Sequence, residues 1–176
     1  MLSTYLVTGA NRGLGLEFVR QLAARGDRVI AGARDVAGAG ELRALPVRVV
    51  ELDVSSRASI ERLSAGLGGE PLDVLINNAG ISSTGKSLEQ VGAEELERAF
   101  LVNSIGPMMV AKAAMANLRA GRRRVIVNIS SQLASIANNT GGSSYGYRAS
   151  KAALNMLTRS LGNELRGEGF TCVALH

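Results

Sequence analysis

Tyr147 and Lys151 stand four residues apart in Tyr147-Arg148-Ala149-Ser150-Lys151, and Leu154, Leu157 and Leu161 follow at helical spacing. Residues four apart share one face of a helix, so the phenol and the ammonium lie side by side. A neighbouring ammonium favours the charged form of a phenol. It draws the pKa down from about 10 toward working pH and makes the hydroxyl a usable general acid or base. Tyr145 is the competing phenol, but the residue four positions on is Ala149, so the pairing selects Tyr147. The same spacing arises by chance in many helices, and the pair gains meaning only from what surrounds it.

A second group of residues can hold an anion. Tyr5-Leu6-Val7-Thr8-Gly9-Ala10-Asn11-Arg12-Gly13-Leu14-Gly15 runs from an apolar stretch through three glycines into the amphipathic pattern Leu14, Phe18, Val19, Leu22. That reads as strand, tight turn and helix. Glycine lets the backbone approach an anion closely, and the free N–H groups at the helix start carry partial positive charge. The spacing is Gly-x-x-x-Gly-x-Gly rather than the dinucleotide fingerprint Gly-x-Gly-x-x-Gly, so the turn alone indicates phosphate without naming the molecule.

The next strand, Arg28 to Ala33, narrows the choice. A dinucleotide fold commonly places an acid at this strand end to hydrogen-bond the free ribose 2′-hydroxyl. Here the residues are Ala33 and Arg34. A guanidinium suits a 2′-phosphate, with Arg12 able to reach the same group, which predicts NADP rather than NAD. Further on, Asp53 ends the third strand, Val47 to Leu52. It could bond the adenine amino group, or simply open the turn whose Ser55 caps a helix through about Leu67.

The elements that must position these residues follow in order. A short helical segment covers Gly40 to Leu45, and a fourth strand, Leu72 to Ile76, leads into Asn77-Asn78-Ala79-Gly80. A long helix from about Ala93 to Leu118 carries Leu96, Phe100 and Val110 toward the core, together with a polar Asn103 that is costly there unless partnered. A fifth strand, Val125 to Ile129, ends at Ser130-Ser131, and a loop to Ser144 precedes the helix of Tyr147, which closes near Gly167. Thr171 to Leu175 is a sixth strand.

At 176 residues and 46% hydrophobic content the chain can form one substantial core, so a single domain over residues 1–176 is expected. No apolar segment is long enough to span a membrane and the start lacks a leader pattern, so the expected location is cytoplasmic. The net charge of +5 invites a nucleic-acid reading. The basic residues are dispersed, however, aromatics make up only 3%, and the cluster Arg122 to Arg124 reads as a solvated turn. No nucleic-acid partner is expected, and an anionic ligand accounts for the surplus charge. The single cysteine, Cys172, excludes a disulfide framework and a cysteine zinc site, and no metal is expected.

Gly80 to Ser87, Gly-Ile-Ser-Ser-Thr-Gly-Lys-Ser, matches the P-loop pattern, which on its own would mean a nucleotide triphosphatase. The context opposes it. Gly92 interrupts the helix that should begin at Gly-Lys-Ser, and the chain already has a better phosphate turn at Gly9 to Gly15.

Taken in order, Thr8-Gly9-Ala10-Asn11-Arg12-Gly13-Leu14-Gly15, Asn77-Asn78-Ala79-Gly80, Asn103, Ser130-Ser131 and Tyr147-x-x-x-Lys151 resemble the short-chain dehydrogenase/reductase family over the whole chain. From Asn128 to Lys151 and through the following Ala-Ala-Leu-Asn the sequence looks most similar to the branch with C-factor and the sniffer-type carbonyl reductases. The resemblance implies an α/β fold: a doubly wound, mostly parallel Rossmann-type sheet with helices on both faces. It implies NADP(H)-dependent hydride transfer on a small carbonyl or alcohol substrate. Tyr147 would be the general acid/base, Ser131 rather than Ser130 would bond the carbonyl oxygen, Lys151 would also bind the nicotinamide ribose, and Asn103 would position a water in the proton relay. Cofactor contacts carry over to Gly9, Asn11, Arg12, Gly13, Leu14, Arg34, Asp53, Val54 and Asn78, together with Tyr147 and Lys151. A signalling role with little turnover, as in C-factor, is the second reading. Family members continue beyond the position of His176 with a Pro-Gly turn, a substrate-covering segment and a further strand. The resemblance therefore implies a C-terminally incomplete domain whose last strand is missing. It also implies a homodimer or homotetramer through the two long helices.

Overall fold

The strands of this protein carry apolar side chains on both faces, the pattern of a parallel sheet covered twice. In β1 (Thr4–Thr8) all five residues are buried. Leu6 points into one core cluster while Tyr5 and Val7 point into the other, because side chains alternate across a strand. These features are those of a computed structural model that describes residues 2–82 and 87–176.

β1 is joined by β2 (Arg28–Ala33), β3 (Arg48–Glu51), β4 (Val74–Asn77), β5 (Val125–Ile129) and β6 (Thr171–Leu175) in one sheet of order β3-β2-β1-β4-β5-β6. Every pairing is parallel. One face is covered by α1 (Gly13–Ala24) and α2 (Gly40–Arg43) through Leu16, Val19, Leu22 and Leu42. The other is covered by α3 (Arg57–Leu67), α5 (Gly106–Ala113), α6 (Met115–Ala120) and α7 (Tyr145–Glu164), through residues such as Ile60, Val110, Leu118 and Leu161. Each buried side chain of this size contributes about 1.5–3 kcal/mol over leaving it in water. The chain winds to one side of β1 and then returns to the other, so a crevice opens at the strand C-termini between β1 and β4, where such sheets bind ligands. The expected fold class stands.

At the opposite end of the sheet, Asp73 is buried and accepts backbone N–H groups from Thr4 and Arg122, both at 2.9 Å. Burial disfavours its charge, but these amides outweigh that effect and hold the carboxyl below its usual range. Arg122 and Arg123 are exposed and Arg124 is half-buried, but the turn is not loose. Arg122 and Arg123 bond Leu2 and Ser3, and Arg124 bonds the carbonyl of Arg119.

Three expectations need correction. The helix after β3 is capped by Ser56, which accepts the Ser59 N–H, and not by Ser55. The helix of Tyr147 starts two residues earlier, at Tyr145. The long helix expected from Ala93 to Leu118 is broken into α4 (Ala93–Phe100), a π-helical segment Leu101–Ile105, α5 and α6. Pro107 has no N–H to give to the carbonyl of Asn103 four residues back, and the Gly106 N–H reaches Leu101, five residues back. Val110 is fully buried as expected, but Leu96 and Phe100 are only half-buried and line a surface groove with Leu101 and Ile105. Among the described residues no helix is long and apolar enough to cross a membrane.

Candidate active site

The β1–α1 turn is built by close backbone approach. Gly9 sits at φ +63°, and a Cβ at Gly15 would lie 2.2 Å from the Gly9 carbonyl oxygen and 2.5 Å from Asn78 Nδ2. The turn is braced from β4. The Thr8 hydroxyl accepts N–H groups from Asn78 (3.1 Å) and Ala79 (3.0 Å), while Asn78 Nδ2 donates to the carbonyls of Thr8 and Gly9, both at 3.0 Å. Asn78, expected to touch the cofactor, thus spends its side-chain donors on the turn itself. No side chain caps α1 and no acid lies in its first turn, so its leading amides carry partial positive charge without a capping partner. Leu14 is 65% exposed at the same helix start, and Arg12 is exposed beside it. Gly9, Asn11, Arg12, Gly13 and Leu14, expected from the sequence to hold a phosphate, lie together along this turn and the start of α1.

Arg34 is exposed at the end of β2. Asp53, at the end of β3, takes the turn-opening role: its Oδ1 accepts the Ser55 N–H (2.9 Å) and hydroxyl (2.6 Å). Burial works against its charge, but the Ser55 bonds and the charges of Arg34 and Arg98 prevail and lower its pKa. Val54 is buried in the core.

The second half of the site forms where β5 meets α7. Lys151 is 4% exposed and its Nζ donates to the Ile129 carbonyl at 2.6 Å, 6.0 Å from the centroid of the Tyr147 ring. Burial draws the Lys151 pKa down to about 8. Asn103 is fully buried. Its Oδ1 accepts the Ile81 N–H (2.9 Å), and its Nδ2 donates to the Ile81 carbonyl (2.9 Å) and the Ser150 hydroxyl (3.0 Å). A Cβ at Gly80 would lie 3.3 Å from Asn103 Oδ1 and 3.6 Å from Lys151 Nζ, so the two polar groups converge over this glycine. Buried polar groups need such partners, which explains a polar residue in an apolar helix.

The two serines differ in what occupies them. Ser130 donates its hydroxyl to Asn155 Oδ1 at 2.6 Å, whereas Ser131 Oγ accepts the Leu133 N–H at 3.1 Å, a bond that leaves its own proton uncommitted. Asn155 was missed by sequence reasoning, and Thr8 was named there only as the first residue of the glycine motif, without its bracing role. Asn155 lies four residues past Lys151 on the face of Tyr147, a spacing that could have marked it. Its partner lies 25 residues away, and no local pattern shows that. The P-loop-like stretch includes residues 83–86, which lie outside the described residues.

The sequence profile of the family described as short chain dehydrogenase matches residues 3–176. The C-signal protein of Myxococcus xanthus is 46% identical over 106 residues, covering 60% of this chain and 64% of that protein. A 1-hydroxy-2-glutathionyl-2-methyl-3-butene dehydrogenase of Rhodococcus sp. (strain AD45) is 34% identical across 99% of this chain and 76% of its own length. Among solved structures, an NADPH-bound carbonyl reductase from chicken fatty liver superposes with a TM-score of 0.91 at 36% identity, over 99% of this chain and 79% of that one. The carbonyl reductase Sniffer of D. melanogaster gives 0.91 at 33%, over 100% and 80%. A parallel six-stranded sheet with a braced glycine turn, together with these matches along its whole length, makes this chain a member of the short-chain dehydrogenase family.

Proposed function

We propose that the protein is an NADP(H)-dependent oxidoreductase acting between a carbonyl compound and its alcohol. The observation that carries this reading is the buried Lys151 ammonium, held by the Ile129 carbonyl and set against the Tyr147 ring at the C-terminal edge of the sheet. Bound NADPH supplies the hydride that becomes the new C–H bond. Tyr147 gives its phenolic proton to the carbonyl oxygen, so the C=O becomes CH–OH, and Lys151 stabilises the phenolate left behind. Ser131 donates a hydrogen bond to the same oxygen and holds the charge developing there. In the oxidising direction Tyr147 takes the alcohol proton. Asn103 holds Ile81 and Ser150 in place around Lys151, and it would position a water that returns the proton. Lys151 and Tyr147 would also hold the ribose, and Arg34 with Arg12 would hold the 2′-phosphate. The NADPH-bound chicken reductase supports this cofactor assignment.

The test is Tyr147→Phe. Turnover of aldehydes and ketones should fall at least about a hundredfold while NADPH affinity stays within about twofold, since general acid catalysis contributes roughly 10²–10⁴. Full activity in the variant ends the proposal. The similarity to C-signal favours a second reading, a signalling protein that binds the dinucleotide with little turnover. It predicts that Tyr147→Phe leaves the biological effect intact. Tight binding of magnesium ATP in place of NADPH would instead favour the phosphohydrolase reading of Gly80 to Ser87.

A further inference from the structure

Asn77 and Asn128 pair with each other near the C-terminal ends of β4 and β5, on the face that Leu75 and Ile126 turn toward the core. Both are buried, where an apolar side chain is the ordinary occupant. Asn77 Nδ2 donates to Asn128 Oδ1 (2.9 Å) and to the Pro107 carbonyl (3.2 Å). Asn128 Nδ2 donates to the Thr158 hydroxyl (2.8 Å), which in turn donates to the Leu154 carbonyl (2.6 Å). Thr158 is buried as well. These bonds form a polar ladder that crosses from the first turn of α5 through two strands into α7.

Stability does not account for this ladder. Asn77 Oδ1 is buried and finds no hydrogen-bond partner among the described residues, and a partly satisfied polar network is less favourable in a core than an apolar one. What the bonds add is direction. Leu154 and Leu161 hold α7 by apolar contacts that tolerate a small slide, whereas a donor and its acceptor must keep both distance and angle. Three successive residues of β5 and its end grip the helix this way. Asn128 donates to Thr158, the Ile129 carbonyl accepts Lys151 Nζ, and the Ser130 hydroxyl donates to Asn155. Lys151, Asn155 and Thr158 lie along one stripe of α7, so Thr158 anchors that stripe two turns, about 10 Å, beyond Lys151. At the other end of the ladder Pro107 follows Asn103 by four residues, directly after the π-helical break, and the Asn77 bond fixes the start of α5 against the same strands.

We propose that Asn77, Asn128 and Thr158 are positioning residues that set the axial register of α5 and α7 on the sheet, and with it the aim of Lys151 and Tyr147 relative to Asn103. The inference rests on the proposed chemistry of Tyr147 and Lys151, and it assigns the three residues no contact with the reacting atoms.

The test compares Thr158→Val, Thr158→Ser and the shape-matched double variant Asn128→Leu/Thr158→Val with the parent chain. Serine keeps the hydroxyl, and valine alone leaves the Asn128 donor unpaired. The double variant removes both partners together, a change that should leave it melting like the parent. Thr158→Val and the double variant should lower kcat at least about tenfold with KM and NADPH affinity within about twofold, because slight misalignment of reacting groups is costly. Thr158→Ser should keep at least about half of the parent kcat, since its hydroxyl can remake the bond. A second readout needs no turnover. The chain has three lysines, Lys86, Lys112 and Lys151, so isotope-labelled lysine side chains can be titrated one by one by NMR. Burial holds Lys151 near 8. Both valine variants should raise its midpoint by at least about half a pH unit as the ammonium gains water, and Thr158→Ser should leave it in place. The proposal is overturned if the double variant keeps full kcat or an unmoved Lys151 midpoint, or if Thr158→Ser is no better than Thr158→Val. It is overturned too if the double variant melts far below the parent, which would make the ladder a support for the fold alone. Should Tyr147→Phe retain turnover while the valine variants still shift Lys151, the hydride-transfer reading fails and the ladder stands.

Discussion

Replacing Lys151 with Met separates the cost of a buried charge from its use. Burial pulls the Lys151 pKa from 10.5 to about 8. At 1.36 kcal/mol for each tenfold change, that displacement corresponds to roughly 3 kcal/mol set against the charged form in the fold. Below pH 8 the lysine is charged whether the chain is folded or not, and the native state carries the whole penalty. Between pH 8 and 10.5 the unfolded chain holds a proton that the folded chain has lost, so stability rises with pH across that window. Methionine fills a similar volume and does not titrate. Urea unfolding of both proteins without cofactor, each also carrying Tyr147→Phe so that the neighbouring phenol does not titrate, at intervals from pH 7 to 10.5, should show the lysine protein gaining roughly 3 kcal/mol on its Lys151→Met counterpart, while titrating groups away from Lys151 cancel in the difference. A difference that stays constant within about 0.5 kcal/mol over the window would show that Lys151 is solvated and refute the reasoning.

Gly15→Ala drives a methyl group to 2.2 Å from the Gly9 carbonyl oxygen and 2.5 Å from Asn78 Nδ2. Isothermal titration should show NADPH affinity falling more than about tenfold, with about 2 kcal/mol of stability lost to overpacking. Unchanged affinity would mean that the turn does not hold the phosphates. Ser131→Ala should lower kcat about a hundredfold, whereas Ser130→Ala and Asn155→Leu should lower it much less, and steady-state kinetics showing the reverse order would exchange the two serines. Arg34→Ala should weaken NADPH by about tenfold and leave NADH nearly unaffected; equal losses for both dinucleotides would remove the 2′-phosphate from its role.

The sequence by itself determined the sheet and its helices, because most strands are apolar runs closed by Gly, Asn, Asp or Ser and most of the helices repeat their leucines at helical spacing. It also brought out Tyr147 and Lys151, since a pair four residues apart on one helix is a local fact. Gly106-Pro107 marks the break at Leu101–Ile105 in the sequence itself, although the apolar spacing on either side reads as one helix. The break depends on Pro107 withholding an N–H and on Asn103 binding Ile81, 22 residues away. Only the tertiary structure decided that Asn78 braces the glycine turn, that Asp53 bonds Ser55, and that Asn155 occupies Ser130 while leaving Ser131 its proton. A side-chain amide or hydroxyl has several partners within reach once the chain is folded. Which one it takes is fixed by the packing of strands and helices far apart in sequence.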